Sequence, residues 1–120
     1  MGMQVTNARE VFQAISSRAR VPRLREAVGS WEVEVEDVGT WAIKVDHGTL
    51  KVEEGSDPSA TVRLRFSEPA FVRVARGDGH ENLVTAGLRG AMLGFEGPLS
   101  FAQKLTAIIP LADEDERSGS

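Results

Sequence analysis

Apolar and polar residues alternate along four short stretches in the middle of the chain, at residues 31–36, 41–45, 49–53 and 60–66. In the first stretch, Trp31 and two valines alternate with three glutamates. A period of two places successive side chains of a strand on opposite faces of a sheet. The pattern therefore predicts four strands that share one apolar face and one charged face.

Short segments rich in Gly, Asp and Pro separate these strands. Such short connections favour antiparallel neighbours, because a parallel crossover needs about a dozen residues or more. We therefore predict an antiparallel meander of all four strands. In the second strand, the alternation predicts that Trp41, Ile43 and Val45 lie on the covered face and that Lys44 is exposed.

Residues 7–19 have the pattern of an amphipathic helix. Asn7 and Glu10 are spaced as a capping box, in which the two side chains accept hydrogen bonds from the first backbone N–H groups. Pro22 is expected to end this helix and to begin a shorter one, which Gly29 closes as a left-handed cap. Helical spacing predicts a buried stripe of Ala8, Val11, Phe12, Ile15 and Ala19.

The second half of the chain predicts two helices, a last strand and a final helix. Ser67 followed by Glu and Pro has the composition of a helix start, and residues 80–86 predict a short helix. Gly94 lies inside a predicted strand at residues 91–95, where a glycine indicates a bulge or a close backbone approach. The final helix is expected to end at Pro110 and to carry an apolar stripe of Phe101, Leu105, Ile108 and Ile109.

Length and composition are those of one soluble globular domain of 120 residues. We expect the folded domain to span residues 7–111. The termini at residues 1–6 and 112–120 are expected to be disordered, and the second is acidic and rich in Gly and Ser. The formal net charge is −4, and much of it lies in this tail. The nearly neutral body argues against nucleic acid as a partner.

Candidate catalytic and metal-binding residues are few. The chain has no cysteine, which excludes disulfides, thiolate metal sites and thiol nucleophiles. The histidines are His47 and His80; His47 follows Asp46 directly, so these two are not expected to form a dyad on one strand face. The glutamates that alternate with the apolar residues of the first strand, Glu32 among them, are expected to face water. The sequence therefore predicts no enzyme, no metal site and no cofactor.

The sequence shows neither an apolar run near the ~20 residues that a membrane span needs nor a signal peptide. We therefore expect a cytoplasmic protein with at most transient membrane contact. A cluster of arginines between Arg18 and Arg25 is interpreted as a solvated helix face, with contact to lipid headgroups as the alternative.

The order of these motifs resembles the sterol carrier protein-2 (SCP2) sterol-binding domain family over about residues 24–109. One departure is the separation of Gly90 from Gly97, which is longer than usual in the family. The resemblance rests on a helix, a strand at 31–36, a hairpin at 39–48, a strand and helix start at 60–71, a glycine-containing strand that ends at Gly97, and a helix start at 100–105.

The resemblance implies an α+β fold, in which a mixed five-stranded sheet is covered on one face by helices, with an apolar cavity between. It implies binding or transfer of a lipid, such as a sterol-like molecule, a fatty acid or an acyl chain, with no covalent chemistry. The last helix is expected near the mouth of the cavity. The implied ligand-binding residues are Phe71, Leu83, Leu93, Phe95, Phe101, Leu105, Ile108 and Ile109.

Other functions remain open from the sequence. Members of the family also occur as accessory domains of enzymes, so a free-standing copy can serve an enzyme partner without binding lipid. A catalyst with an isomerase-like role is a third interpretation, and no group of residues supports it. Both a homodimer and an enzyme partner are compatible with the sequence.

Overall fold

The structure, a computed structural model, describes residues 6–18, 20–76 and 92–109. The helices and strands are α1 (Ala8–Arg18), β1 (Val28–Val35), β2 (Gly39–Asp46), β3 (Thr49–Glu54), β4 (Val62–Phe66), α2 (Glu68–Arg76), β5 (Met92–Glu96) and α3 (Leu99–Gln103). Short 3-10 turns lie at Pro22–Leu24 and Lys104–Ala107. The five strands form one mixed sheet in the order β3-β2-β1-β4-β5, which confirms the expected α+β fold.

The two faces of the sheet differ as the alternation predicts. In β2, Trp41, Ile43 and Val45 are buried in the core, whereas the side chain of Lys44 is 45% exposed and pairs with Glu53. Burial alternates in the same way along β1 and β4. The helices therefore pack on one face, which we call the covered face, and the opposite outer face carries the charges.

The predicted meander is correct for β1, β2 and β3 and wrong for β4. The strand β4 does not pair with β3; it pairs with β1, in parallel. The reason is the path of residues 55–61, which cross the outer face of the sheet. Gly55 N–H donates to the Thr40 carbonyl at 2.8 Å, and Thr61 N–H donates to the Ser30 carbonyl at 3.0 Å. This short connection therefore leads from β3 across β2 and β1 to β4, and not to a strand directly beside β3.

Asp57 anchors this crossing loop and is only 8% exposed. Its carboxylate accepts hydrogen bonds from the Ser30 hydroxyl at 2.9 Å and from Ser59. The Ser30 bond is the main reason that the pKa of Asp57 lies below its usual value. Glu32, expected to face water, instead accepts a hydrogen bond from Asp57 N–H at 2.7 Å, and its side chain is 14% exposed. The Glu32 carboxylate therefore helps to hold the crossing loop on the sheet instead of facing water.

The start of α1 confirms half of the predicted capping box. The Asn7 side chain accepts a hydrogen bond from Glu10 N–H at 3.0 Å. The Glu10 carboxylate reaches one residue further back than predicted and accepts from Thr6 N–H at 2.7 Å. These bonds from Thr6 hold the pKa of Glu10 below its usual value. The predicted stripe of Ala8, Val11, Phe12 and Ile15 is buried, and Ala19 lies outside the described residues.

The prediction that Gly29 closes a helix is wrong, because Gly29 lies inside β1. The helix that Pro22 begins is a single 3-10 turn, Pro22–Leu24, because strand pairing with β2 already starts at Val28. The ring of Phe101 lies over Gly29, where a Cβ would come within 2.5 Å of the ring and 2.7 Å of the Thr61 hydroxyl. This position therefore requires a glycine because Phe101 and Thr61 leave no space for a Cβ, and not because it caps a helix.

The C-terminal elements follow the sequence pattern with one break. The Ser67 hydroxyl accepts a hydrogen bond from Ala70 N–H at the start of α2, as predicted for a cap. The register of β5 against β4 shifts next to Gly94, between the pairs Arg65–Gly94 and Phe66–Met92, which confirms a bulge there. The predicted final helix is instead α3 followed by the 3-10 turn Lys104–Ala107. The predicted helix at residues 80–86 lies outside the described residues.

Candidate functional site

A row of aromatic side chains runs along the covered face. Phe12 of α1 stacks on Trp41 of β2 with 4.4 Å between ring centroids, and on Phe71 of α2 at 5.1 Å. Phe71 in turn contacts Phe66 of β4 at 5.6 Å. Four rings from four elements thus form one continuous apolar row between the helices and the sheet, and each of them is at most 5% exposed.

A second aromatic pair lies on the covered face towards the end of β1 that is further from the turn between β1 and β2. Trp31 of β1 stacks on Phe101 of α3 with 4.7 Å between centroids. The indole N–H of Trp31 donates to the carbonyl of Phe101 at 3.0 Å, and Trp31 is fully buried. The same Phe101 ring covers Gly29. This end is closed by the stacking of Trp31 on Phe101, by the hydrogen bond between them, and by the absence of a side chain at Gly29.

The structure separates the eight ligand-binding residues implied by the resemblance into three groups. Leu93 and Phe95 of the edge strand β5 are 50% and 44% exposed, although Phe95 pairs with the buried Leu64. Leu83 lies outside the described residues. The remaining five are buried in one core cluster: Phe71, Phe101, Leu105, Ile108 and Ile109.

A groove of about 220 Å³ opens to solvent between α1 and β3, and sequence reasoning did not identify it. The groove lies beside Trp41 and not beside the last helix, which the resemblance places near the mouth of the cavity. Helical spacing could have indicated it, because Arg9, Gln13 and Ser16 form a polar stripe directly beside Phe12 on α1. The lining residues are Arg9, Phe12, Gln13, Ser16, Trp41, Val52 and Glu54.

Arg9 lies across this groove. Its guanidinium carbon is 5.4 Å from the centroid of the Trp41 ring, a cation–π distance. Its Nη1 is 3.5 Å from Oε2 of Glu54 on β3. The side chains of Arg9 and Glu54 are 58% and 61% exposed, so this contact lies at the surface. The groove therefore has an aromatic floor and one exposed ion pair above it.

The described residues offer little for catalysis. No group of three or more His, Asp or Glu side chains in residues 6–18, 20–76 and 92–109 is placed to hold a metal ion. His47 Nδ1 contacts Asp46 Oδ1 at 2.6 Å, but it does so in the turn after β2, where His47 has a positive φ of 51°, and not as a pair on one strand face. Both side chains are more than two-thirds exposed. In the same part of the chain, no helix is long and apolar enough to span a membrane.

Comparison with models of known protein families identifies the family of this chain. The sequence model of the SCP-2 sterol transfer family matches residues 9–110, which is most of the chain. Comparison with curated protein sequences finds no similar protein.

Solved structures with a similar fold include domains of larger proteins and free-standing domains. A double mutant of the sec-alkyl sulfatase PisA1 is 20% identical with a TM-score of 0.68, and the match covers 90% of this chain but 16% of the sulfatase chain. The palmitated SCP2L2 of Aedes aegypti is 15% identical with a TM-score of 0.66, covering 83% of this chain and 91% of that one. The ubiquinone synthesis protein UbiJ-SCP2 is 16% identical with a TM-score of 0.60, covering 88% and 95%.

Proposed function

This chain belongs to the SCP-2 sterol transfer family, and from that premise we propose that it binds or transfers a lipid between its sheet and helices without covalent chemistry. The observation that carries the proposal is the row of four aromatic rings, which leads from the open groove at Trp41 to Phe66 under α2. An aliphatic chain that packs against such apolar side chains gains about 0.8 kcal/mol for each CH₂ removed from water. A sterol-like molecule, a fatty acid and an acyl chain all satisfy this requirement.

The proposed ligand contacts extend from this row to the residues implied by the sequence. Burial in the core of the covered face supports five of them, whereas Leu93 and Phe95 of β5 are about half exposed and rest on the resemblance alone. The palmitated form of the Aedes aegypti SCP2L2 supports an acyl chain as ligand. The proposed contacts are Phe71, Leu83, Leu93, Phe95, Phe101, Leu105, Ile108 and Ile109.

Extraction tests the proposal directly. Protein purified without added lipid is extracted with organic solvent and the extract is analysed by mass spectrometry, and the delipidated protein is then titrated with a fluorescent fatty acid. We expect a bound lipid or saturable binding at one site. Protein that carries no lipid and binds neither an acyl chain nor a sterol would refute the proposal.

Variants of two buried residues of similar size can distinguish a ligand site from packed core. Leu105 is proposed to contact the ligand, whereas Ile43 lies in the middle of the sheet between β1 and β3. Truncating a packed residue of this size costs roughly 2–5 kcal/mol, and a side chain that borders a cavity has fewer contacts to lose. Leu105→Ala should therefore weaken ligand binding more than stability, and Ile43→Ala should weaken stability more than binding. Equal effects of both variants on both measurements would contradict the assignment.

An accessory role in an enzyme is the second candidate function. Three large apolar side chains in the described part of β5 and α3 are exposed: Leu93 at 50%, Phe95 at 44% and Leu99 at 62%. In the PisA1 sulfatase, the matching part is 16% of an enzyme chain. The extraction experiment separates the two candidates, because a protein that works only through a partner needs no lipid. We place either function in the cytoplasm, because a chain without cysteines forms no disulfide and does not need an oxidising compartment.

A further inference from the structure

We propose that the acidic C-terminal tail of this chain binds to a patch of basic side chains on the surface of its own domain. The patch, which we call the basic patch, consists of Arg20, Arg23, Arg25 and Lys104. The tail carries four consecutive acidic residues at positions 113–116. This contact does not require the proposed lipid binding.

The cations of the basic patch have no partner among the described residues. All four side chains are exposed, and none forms an ion pair in residues 6–18, 20–76 and 92–109. Cations on the outer face of the sheet differ, since Arg65, for example, pairs with Glu34 and Glu36. The carboxylates nearest to the patch along the chain and across the turn are those of Glu26 and Asp46, and Asp46 already contacts His47. Positive charge therefore exceeds negative charge at the patch.

The backbone that carries the three arginines is held on the sheet. Val21 N–H donates to the Gly48 carbonyl at 2.7 Å, and His47 N–H donates to the Ala27 carbonyl at 2.8 Å. Val21 and Leu24 are buried in the core, so this segment is anchored between its exposed arginines. A binding surface on a fixed backbone loses less conformational entropy on binding than a flexible one.

The described part of the chain ends beside this segment. The 3-10 turn Lys104–Ala107 packs against the 3-10 turn Pro22–Leu24. Ile109 is the last described residue; it is fully buried, and its N–H donates to the Leu105 carbonyl at 3.1 Å. Positions 113 and 116 follow four and seven residues later, which an extended chain spans in at most about 14 and 25 Å. The acidic residues can therefore reach the basic patch without any change in the described fold.

Charge and tethering together favour this contact. The tail combines four acidic residues with one arginine, at position 117, so it is complementary to the patch in charge. Because the tail belongs to the same chain, its effective concentration at the patch is about millimolar. Exposed ion pairs are individually weak and are screened by salt, so the contact opens readily and adds little to stability. Any other anionic group that binds the patch must first displace the tail.

Paramagnetic broadening in NMR spectra tests where the tail lies. The chain has no cysteine, so Ser118→Cys provides a single attachment site for a nitroxide spin label, which broadens the signals of nearby backbone amides. Spectra are recorded at about 0.01 M salt, where the Debye length is about 30 Å, and at about 1 M, where it is about 3 Å. The same spectra show whether each variant is folded.

Three variants of the labelled chain are compared with the labelled chain itself. In the neutral tail, Asn and Gln replace the acidic residues 113–116, which removes the charge and keeps the tether. The patch variant combines Arg23→Gln with Arg25→Gln. Its matched control combines Arg9→Gln with Arg65→Gln, which removes two cations that have partners elsewhere on the domain.

We expect the amides of residues 20–26 to lose most of their intensity in the labelled chain at low salt and to recover it at high salt. The neutral tail and the patch variant should show only the weaker broadening that a tethered label causes near Ile109. The matched control should behave as the labelled chain does.

Four results would each overturn the inference. Equal broadening with the acidic and the neutral tail would show that the tether alone keeps the label near the patch. Equal broadening in the patch variant and its control would place the tail on other groups. Broadening that persists at high salt would indicate an apolar contact instead of a contact between charges. No broadening at residues 20–26 at low salt would show that the tail stays away from the patch.

Discussion

The two tryptophans of this protein lie on neighbouring strands in almost the same local arrangement. Trp31 of β1 stacks on Phe101 with centroids 4.7 Å apart, and Trp41 of β2 stacks on Phe12 at 4.4 Å. Both pairs join the covered face of the sheet to a helix. Nevertheless, the Trp31 end is closed, whereas the Trp41 end borders a solvent-exposed groove.

The difference lies in what holds each ring in place. Trp31 donates its indole N–H to the backbone carbonyl of Phe101, a buried bond that exchanges with nothing. Trp41 is covered instead by Arg9, a charged side chain held by an exposed contact to Glu54. Buried hydrogen bonds fix a core, and exposed ion pairs can open at little cost. The comparison indicates which end of the covered face can admit a ligand.

The largest expected effect tests whether the closed end is packed core. Phe101→Ala removes the ring that stacks on Trp31 and covers Gly29, and such truncations cost about 3–5 kcal/mol. Arg9→Ala, at the open end, should lower the free energy of unfolding by about 1 kcal/mol or less. Urea denaturation measures both. Similar losses for the two variants would remove the distinction between the ends.

A glycine pair sharpens the same comparison. Gly29→Ala places a Cβ within 2.5 Å of the Phe101 ring, whereas at Gly55 a Cβ meets nothing within 4 Å. Both residues have positive φ, at 156° and 121°, so an alanine is strained at either position. Overpacking should cost Gly29→Ala about 1–3 kcal/mol more than Gly55→Ala in thermal or urea unfolding. Equal losses would show that Phe101 can move away.

Acid should weaken the closed end through Asp57, which holds Ser30 beside Trp31. The pKa of Asp57 is lowered in the folded state, chiefly by the Ser30 hydrogen bond. Its contribution is therefore complete above the unfolded value of about 3.9 and is lost as the pH falls through the lower folded value. Wild type should lose more stability between pH 7 and pH 3 than Asp57→Asn does. The control is Asp37→Asn, at an exposed turn, which should retain the wild-type pH dependence.

Sequence reasoning predicted side-chain faces better than it predicted partners. Alternation placed Ile43 correctly because a period of two determines the face whatever strand lies alongside. It could not show that β4 pairs with β1, since that depends on hydrogen bonds such as the one from Thr61 N–H to the Ser30 carbonyl. The groove was missed for a related reason. Arg9 and Glu54 are 45 positions apart in the chain, and only the packing of α1 beside β3 brings them together.

The smallest effect is expected from the acidic tail. Its charge is opposite to that of the arginines at residues 18–25, but contacts between exposed charges are weak and screened by salt. Deleting the residues after Ala112 should therefore leave the unfolding midpoint nearly unchanged. It should also leave the fluorescence of both tryptophans as in the full chain. A clear loss of stability would show that the tail packs on the domain.

The most direct test of the account asks which tryptophan lies near a bound lipid. Trp31→Phe leaves Trp41 as the only indole, and Trp41→Phe leaves Trp31. Each variant is titrated with a brominated fatty acid, because bromine quenches an indole that it touches. The account predicts strong saturable quenching of Trp41 and little quenching of Trp31. Stronger quenching of Trp31, or none in either variant, would contradict it.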